Sequence, residues 1–305
     1  MSKPSRTGER DLPAWQTWAW NGLAMTLPGD WEMLQFARDP AVGRCVFGDR
    51  YQYRFELNWK TVPAPPDMER MVGDYRARLT GDGLQDVRAL GHSPWLGTRG
   101  LDGDREVCRY GHYAETSRQI LEAVFLWPPG EKSRPALEGR VLDSVRAVPA
   151  LPDGRRRWQA FGMAWQAPAD WVFASCEVAS AQAEAGFAPR HGRGLAAFSR
   201  RGMLSEWLTV PVSEWLEQAM PHGYVRESLL QTGQSGHEVS SLVARRERPV
   251  LTDWLHGRRR FLASAWVCPH DRRLYCLSGW THQRRGLDSG LGIALSCCPA
   301  LEVLL

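Results

Sequence analysis

Cysteine and histidine residues near the end of the chain have the clearest capacity for chemistry. Cys268-Pro269-His270 is followed by Cys276 and His282, and thiolates and imidazoles are the ligands that zinc prefers. Their spacing follows no known ligand pattern, however, and the segment after Cys268 is predicted to be a hairpin turn. We therefore expect no metal and no cofactor, and we expect the chain to fold without either.

A second pair of thiols, Cys297 and Cys298, is adjacent in sequence. Leu287, Leu291, Leu295 and Cys298 recur at helical spacing, so a closing helix is predicted here. Neighbouring residues on a helix point to different sides, which favours buried packing of these thiols over redox chemistry. The chain has seven cysteines without regular spacing, which argues against a disulfide framework.

Local signatures of catalysis are missing from the sequence. There is no Gly-x-Ser-x-Gly motif and no phosphate-binding loop, and His237-Glu238 is not part of a His-Glu-x-x-His motif. The first hypothesis is therefore a non-catalytic binding or adaptor protein. The alternative is a divergent hydrolase or transferase with a site in the groove between the two halves of the chain. An exposed aromatic patch would favour the first, and a deep pocket with converging Cys, His and acidic residues the second.

Tryptophan is unusually abundant, with fifteen residues in 305. Trp15, Trp20, Trp165 and Trp254 have no tryptophan at the equivalent position of the other half. A large apolar ring that only one half carries is stabilising where it is buried against a surface that the other half does not contact. We predict these four as candidates for an interface between the halves or with a partner.

An internal repeat divides the chain. The segments 18–31 and 158–171 share six identical residues at a fixed offset, among them the tryptophan that ends a Pro-x-Asp-Trp motif, which we expect to enter the core in each half. Matches recur near the ends of the halves, where Trp127 aligns with Trp280. We predict an N-terminal tail at 1–14, a first domain at 15–150, a linker at 151–157 and a second domain at 158–305.

Periodicity predicts the elements of each domain. Residues 51–59 alternate strictly between apolar and polar side chains, as in a strand with one buried face. Asp67 is a suitable N-cap for a helix whose apolar residues run from Met68 to Leu79. Further short strands follow, and each half is predicted to close with a helix. The expected class is α+β, with an antiparallel β-sheet flanked by helices in each of two tandem repeats.

The motif Leu27-Pro28-Gly29-Asp30-Trp31 and the final segment 141–146, Val-Leu-Asp-Ser-Val-Arg, resemble the PsbP-like fold family. The second half keeps Pro168-Ala169-Asp170-Trp171 but departs from the pattern at Leu295-Ser296-Cys297-Cys298. The resemblance implies two tandem PsbP-like domains with a binding or assembly role. It carries over no catalytic residues.

Charge and hydropathy limit the choice of partner. The net charge is +4, and the basic runs Arg155–Arg157 and Arg258–Arg260 are not interleaved with aromatic residues, so no nucleic acid is expected. No stretch is long and apolar enough for a membrane span, and residues 1–10 lack the apolar core of a signal peptide. We therefore expect a cytoplasmic protein whose partner is another protein.

Overall fold

The computed structural model describes residues 14–191, 194–247, 260–281, 291–298 and 301–304. The chain separates into two compact units, Met1–Val148 and Pro149–Leu305. No helix among the described residues combines the length and apolar character that a membrane crossing requires.

The first unit is built mainly from antiparallel strands. Its elements are β1 (Trp15–Trp20), β2 (Leu23–Pro28), β3 (Glu32–Phe36), β4 (Val42–Gly48), β5 (Tyr53–Thr61), α1 (Met68–Gly81), β6 (Gln85–His92), β7 (Trp95–Asp102), β8 (Arg105–Ala114), β9 (Gln119–Trp127), α2 (Pro135–Ser144) and β10 (Arg146–Ala147). Seven strands form a sheet in the order β3-β4-β5-β9-β8-β7-β6, and β10, β2 and β1 are hydrogen-bonded neighbours in that order.

The core of the first unit lies between the short β1–β2 hairpin and the seven-stranded sheet. The ring of Trp18 meets Phe47 edge-on at a centroid distance of 5.3 Å, and Trp31 stacks near Phe55 at 6.4 Å. All four side chains are buried. Aromatic pairs in these arrangements contribute beyond the area that they bury. The Trp18 contact therefore joins the hairpin to the sheet, and the Trp31 contact packs the segment between β2 and β3 against β5.

Two helices cover parts of the first unit. α1 begins where predicted, because the carboxylate of Asp67 accepts a hydrogen bond from the Arg70 N–H at 3.0 Å. α2 carries the buried carboxylate of Glu138, which accepts hydrogen bonds of 2.7 Å from the Tyr110 hydroxyl and from the Trp127 indole N–H. A buried carboxylate is stable only where its oxygens are satisfied, so Glu138 attaches α2 to β8 and β9.

The second unit contains the same seven-strand order. Its elements are β11 (Arg155–Ala160), β12 (Met163–Pro168), β13 (Trp171–Ala179), β14 (Gln182–Pro189), β15 (Leu195–Arg201), α3 (Leu204–Trp207), α4 (Val212–Gln218), β16 (Tyr224–Gln234), β17 (His237–Arg246), β18 (Arg260–Val267), β19 (Leu274–Thr281), β20 (Ala294–Cys298) and β21 (Leu301–Leu304). The large sheet runs β13-β14-β15-β19-β18-β17-β16, and β11, β12, β20 and β21 are successive neighbours. An equal strand order in both units is what duplication of one domain produces.

The predicted fold class is wrong, and with it the PsbP-like assignment. The described chain is mainly β, and its large sheets are not flanked by helices in the PsbP-like manner. The segment before Trp31 is a hairpin that turns at Asn21-Gly22 and belongs to a different sheet from β3. A short motif that sets one turn does not determine which sheet the flanking strands join.

The closing helix predicted for the second half is also wrong. Residues 294–298 form β20, which pairs with β12 and β21. Gly292 has a positive φ of 67°, a conformation that ends a helix rather than continuing one. Helical spacing of Leu291 and Leu295 therefore did not indicate a helix, and Leu287 lies outside the described residues.

Replacement of Trp31 tests how the segment between β2 and β3 packs against the large sheet. Trp31 is 5% exposed, whereas its counterpart Trp171 is only half-buried. Trp31→Ala is expected to lower the free energy of unfolding by about 3–5 kcal/mol, measured by urea titration, because it leaves a cavity beside Phe55. Trp31→Phe keeps a ring and is expected to lose clearly less. An Ala variant within about 1 kcal/mol of the wild type would contradict this view of the core.

Candidate functional site

The tryptophans predicted as interface candidates have contacts within their own units. Trp20 is buried, and its indole N–H donates to the Ala37 carbonyl at 2.8 Å. Trp165 is buried and stacked 6.3 Å from Trp158. Trp15 is half-buried, with the Arg140 guanidinium 3.8 Å from its ring centroid. Trp254 lies outside the described residues, and a further interface role for these tryptophans stays a prediction.

Four side chains of the second unit bring their metal-binding atoms together. They belong to His237, Cys268, Cys297 and Cys298, and their ligand atoms all lie within 4.8 Å of one another. We call this set the Cys/His quartet. His237 and Cys268 are buried, and the two adjacent cysteines are half-buried. Within the described residues, these are the side chains best placed to hold a metal ion.

Adjacent residues of a regular strand point to opposite faces, yet Cys297 and Cys298 reach the same place. The cause is an irregularity in β20, where Ser296 pairs with Glu302 and Cys298 pairs with Leu301. Cys297 is therefore an extra residue, as in a β-bulge, which redirects side chains locally. The two sulfur atoms are 3.6 Å apart.

His237 is oriented by the turn that precedes it. Its Nδ1 lies 3.0 Å from the Ser235 carbonyl oxygen, an acceptor, so Nδ1 carries the proton and Nε2 presents its lone pair. That Nε2 atom lies 3.4 Å from the Cys297 sulfur and 3.7 Å from the Cys298 sulfur. The Trp266 indole N–H donates to the Cys297 sulfur at 3.2 Å. Burial raises the pKa of the Cys297 thiol.

The sequence prediction recovered only part of this cluster. Of the residues first considered as zinc ligands, Cys268 belongs to the quartet, whereas Cys276 pairs with Ala265 in the sheet. The His270 ring lies 6.1 Å from that of His237, and His282 is outside the described residues. His237 was missed because its neighbours form no motif. The signal available was a histidine directly after a Ser-Gly turn in a chain with paired cysteines.

A second feature lies on the first unit, around the turn between β4 and β5. Tyr51 is 83% exposed, Tyr53 is 49% exposed and Leu34 is 48% exposed. With Arg50 and Arg105 they border a hollow of about 480 Å³. We call these five residues the hairpin patch. Among the described residues, neither Arg50 nor Arg105 takes part in an ion pair.

The turn beneath the hairpin patch is held by Asp49. Its carboxylate accepts hydrogen bonds from the Tyr51 and Gln52 N–H groups at 2.8 and 3.0 Å, and from Arg54 Nε at 2.5 Å. Burial by itself would raise the pKa of Asp49, but these hydrogen bonds outweigh it and lower the pKa. At Gly48, a Cβ would lie 2.6 Å from the Gln52 carbonyl oxygen, so only glycine lets the chain turn this closely.

Each unit also has a groove between a helix and its large sheet. In the first unit, α1 buries only Leu79 and leaves a hollow of about 530 Å³ lined by Met71, Val72, Tyr75 and Ile120, among others. In the second, α4 covers a hollow of about 310 Å³. The first groove has a volume typical of small-molecule sites.

Comparison with known proteins identifies no family for the chain. No protein-family profile matches it, and no curated protein matches it. Among solved structures, it is similar to the apo structure of the immunity protein TplEi of the T6SS from Pseudomonas aeruginosa, with 10% identity, a TM-score of 0.39 and coverage of 90% of each chain. A similarity at this level supports neither a fold assignment nor a function.

Removal of the Asp49 carboxylate tests how the hairpin patch is positioned. Asp49→Ala is expected to lower the free energy of unfolding by about 1–2 kcal/mol at pH 7, since charge-assisted hydrogen bonds are lost. Because folding lowers the pKa of Asp49, the stability that its carboxylate contributes is fully present above about pH 4, the pKa of this group in the unfolded chain. This stability is lost as the pH falls through the pKa in the folded protein. The difference between wild type and variant should therefore shrink in acid.

The matched control is Asp74→Ala, which removes an exposed i,i+4 ion pair with Arg70. Such pairs contribute about 0.3–0.5 kcal/mol, so urea titrations across the same pH range should show a small effect. Equal losses for the two variants would contradict the role given to Asp49.

Proposed function

We propose that this protein is a non-catalytic binding protein that recognises an acidic surface of another protein through the hairpin patch. The single observation that carries the proposal is the presence of two exposed tyrosines and a leucine beside two arginines that form no ion pair among the described residues. Tyrosine and arginine are enriched among residues that dominate the energy of protein interfaces.

The patch is suited to binding because hydrogen bonds hold the turn beneath it. Asp49 fixes the turn, and Arg54 continues the network to Glu131, with hydrogen bonds of 3.2 and 3.3 Å. A surface that is ordered before binding loses less conformational entropy when a partner arrives. Tyrosine adds to this advantage, since it presents a large ring with few rotatable bonds.

Charge indicates the nature of the partner. Arg54 neutralises Asp49 within the turn, which leaves Arg50 and Arg105 as the charges available to a partner. An acidic partner surface would complement them, and such complementarity speeds association and fixes orientation. Binding through exposed charges weakens as salt is added.

The alternative function, a hydrolase or transferase with a site between the two domains, stays a prediction. Nucleophilic catalysis needs a nucleophile, a base and a group that orients the base. The Cys297–His237 contact supplies the first two, but the quartet contains two further thiols and no carboxylate, and the Nδ1 atom of His237 faces a backbone carbonyl.

The proposal is tested by crosslinking at position 51. A photo-reactive phenylalanine analogue in place of Tyr51, in the native host, should capture one protein that mass spectrometry identifies. The purified partner is then titrated against wild type, Tyr51→Ala/Tyr53→Ala and Arg50→Glu. Each variant is expected to bind about tenfold more weakly or worse, because it removes a central ring pair or reverses a charge.

Leu230→Ala serves as the control, because Leu230 is 54% exposed but lies on the second unit. Its affinity for the partner should equal that of the wild type. Unchanged binding by the double tyrosine variant would refute the hairpin patch as the binding surface.

A second candidate function, binding of a small apolar ligand, is favoured by the groove under α1. Val72→Trp should fill this groove and reduce the amount of any ligand that co-purifies, measured by mass spectrometry of an organic extract. Val178→Trp, on the edge strand β13, is the control and should keep the co-purifying ligand at the wild-type level. Equal ligand content in both variants, or none in the wild type, would count against this function.

A further inference from the structure

We propose that His237, Cys268, Cys297 and Cys298 bind one Zn²⁺ ion in a closed structural site within the second unit. This inference does not depend on the proposed binding function. Its basis is the convergence of three sulfur atoms and one imidazole nitrogen from three separate segments of the chain.

The three distances among His237, Cys297 and Cys298 match those of a tetrahedral site. With zinc bonds of about 2.3 Å to sulfur and 2.0–2.1 Å to nitrogen, two sulfur ligands stand about 3.8 Å apart and a sulfur and a nitrogen about 3.6 Å apart. The observed separation of the Cys297 and Cys298 sulfur atoms is 3.6 Å. These two atoms lie 3.4 and 3.7 Å from His237 Nε2. The Cys268 sulfur lies within 4.8 Å of the other three ligand atoms, so a small movement of this residue would complete the site.

Groups around the quartet orient the ligands as metal sites require. A metal-bound histidine usually donates its other ring N–H to a carbonyl or carboxylate, and His237 Nδ1 faces the Ser235 carbonyl in this way. The Trp266 indole N–H reaches the Cys297 sulfur, where it would stabilise negative charge on a thiolate. These contacts direct the His237 Nε2 lone pair towards the sulfur atoms.

The donor set selects the metal and its role. Three thiolates and an imidazole suit zinc, whereas magnesium and calcium prefer oxygen ligands. Catalytic zinc sites keep one coordination position for water, but four protein ligands fill a tetrahedral site completely. The site is therefore structural.

Neither ordinary packing nor a disulfide explains all four residues. A bond between Cys297 and Cys298 would use two sulfur atoms and leave Cys268 and His237 without a role. Hydrogen bonds from thiols to His237 Nε2 would satisfy the imidazole, but they give no reason for three sulfur atoms to converge on it. One ion accounts for all four positions.

The ion would join parts of the second unit that are distant in sequence. His237 begins β17, Cys268 follows β18 and the cysteine pair ends β20. These strands belong to the seven-stranded sheet and to the group that contains β12 and β21. Because metal binding contributes directly to folding free energy, the second unit should be destabilised when the ion is removed.

The test uses the full chain, purified under reducing conditions without added metal. Elemental analysis is expected to find one zinc per chain in the wild type. Cys268→Ser should lose the zinc and lower the Tm by about 5 °C or more. Cys176→Ser is the matched control, since Cys176 is a half-buried cysteine of the same unit that lies outside the quartet, and it should keep both zinc and Tm.

Two further measurements keep the proposal falsifiable if Cys268→Ser does not fold. Cys298→His exchanges one zinc ligand for another and should retain bound metal. Cobalt added to zinc-free wild type should give the visible absorption of tetrahedral thiolate coordination, and zinc should displace it.

Three results would overturn the zinc site. One is a wild-type protein that contains no zinc and whose Tm does not respond to zinc or to a chelator. Another is stoichiometric iron or copper in place of zinc. The third is a disulfide between Cys297 and Cys298 in protein prepared under reducing conditions and analysed by mass spectrometry.

Discussion

The structure of each unit depends on aromatic packing between a short group of strands and a seven-stranded sheet. In the first unit Trp18 meets Phe47, and in the second Trp158 meets Phe187 at 5.0 Å and Trp165 meets Phe198 at 5.9 Å. Burial of large rings supplies the main driving force for joining the layers. The high tryptophan content is thus partly explained by the cores, and the turns and grooves at the surface are positioned by this contact.

The large sheets of the two units have the same strand order, but different side chains hold the closing elements. In the first, the buried Glu138 carboxylate holds α2 through Tyr110 and Trp127. In the second, β20 pairs with β12 as β10 pairs with β2 in the first, and the Cys/His quartet lies where β20 approaches β17 and the end of β18. Near its end, the first unit thus uses hydrogen bonds to a carboxylate, while the second brings thiols and an imidazole together.

Local patterns in the sequence predicted local structure well. The alternation at 51–59 corresponds to β5, and the Asp67 cap begins α1 where expected. The fold class failed because the sheet that a strand joins depends on distant partners, as for β1 and β2. The quartet was missed for a related reason, since its ligands come from three segments and a β-bulge unites two of them. The hairpin patch was not predicted, because alternation placed Tyr51 and Tyr53 on the buried face. Tyr51 precedes the strand, and Tyr53 is its first residue, where the core that covers Phe55 no longer reaches.

The difference in how the closing elements are attached places the two halves under different chemical control. Carboxylate hydrogen bonds do not respond to oxidants, and Cys45 and Cys108 of the first unit are fully buried. Cys297 and Cys298 are only half-buried, and in the proposed zinc site they would be thiolates, the form from which cysteine oxidation starts. Hydrogen peroxide would therefore act on the last strands of the chain while leaving the first domain intact, so that one polypeptide combines an oxidant-sensitive half with an oxidant-resistant one.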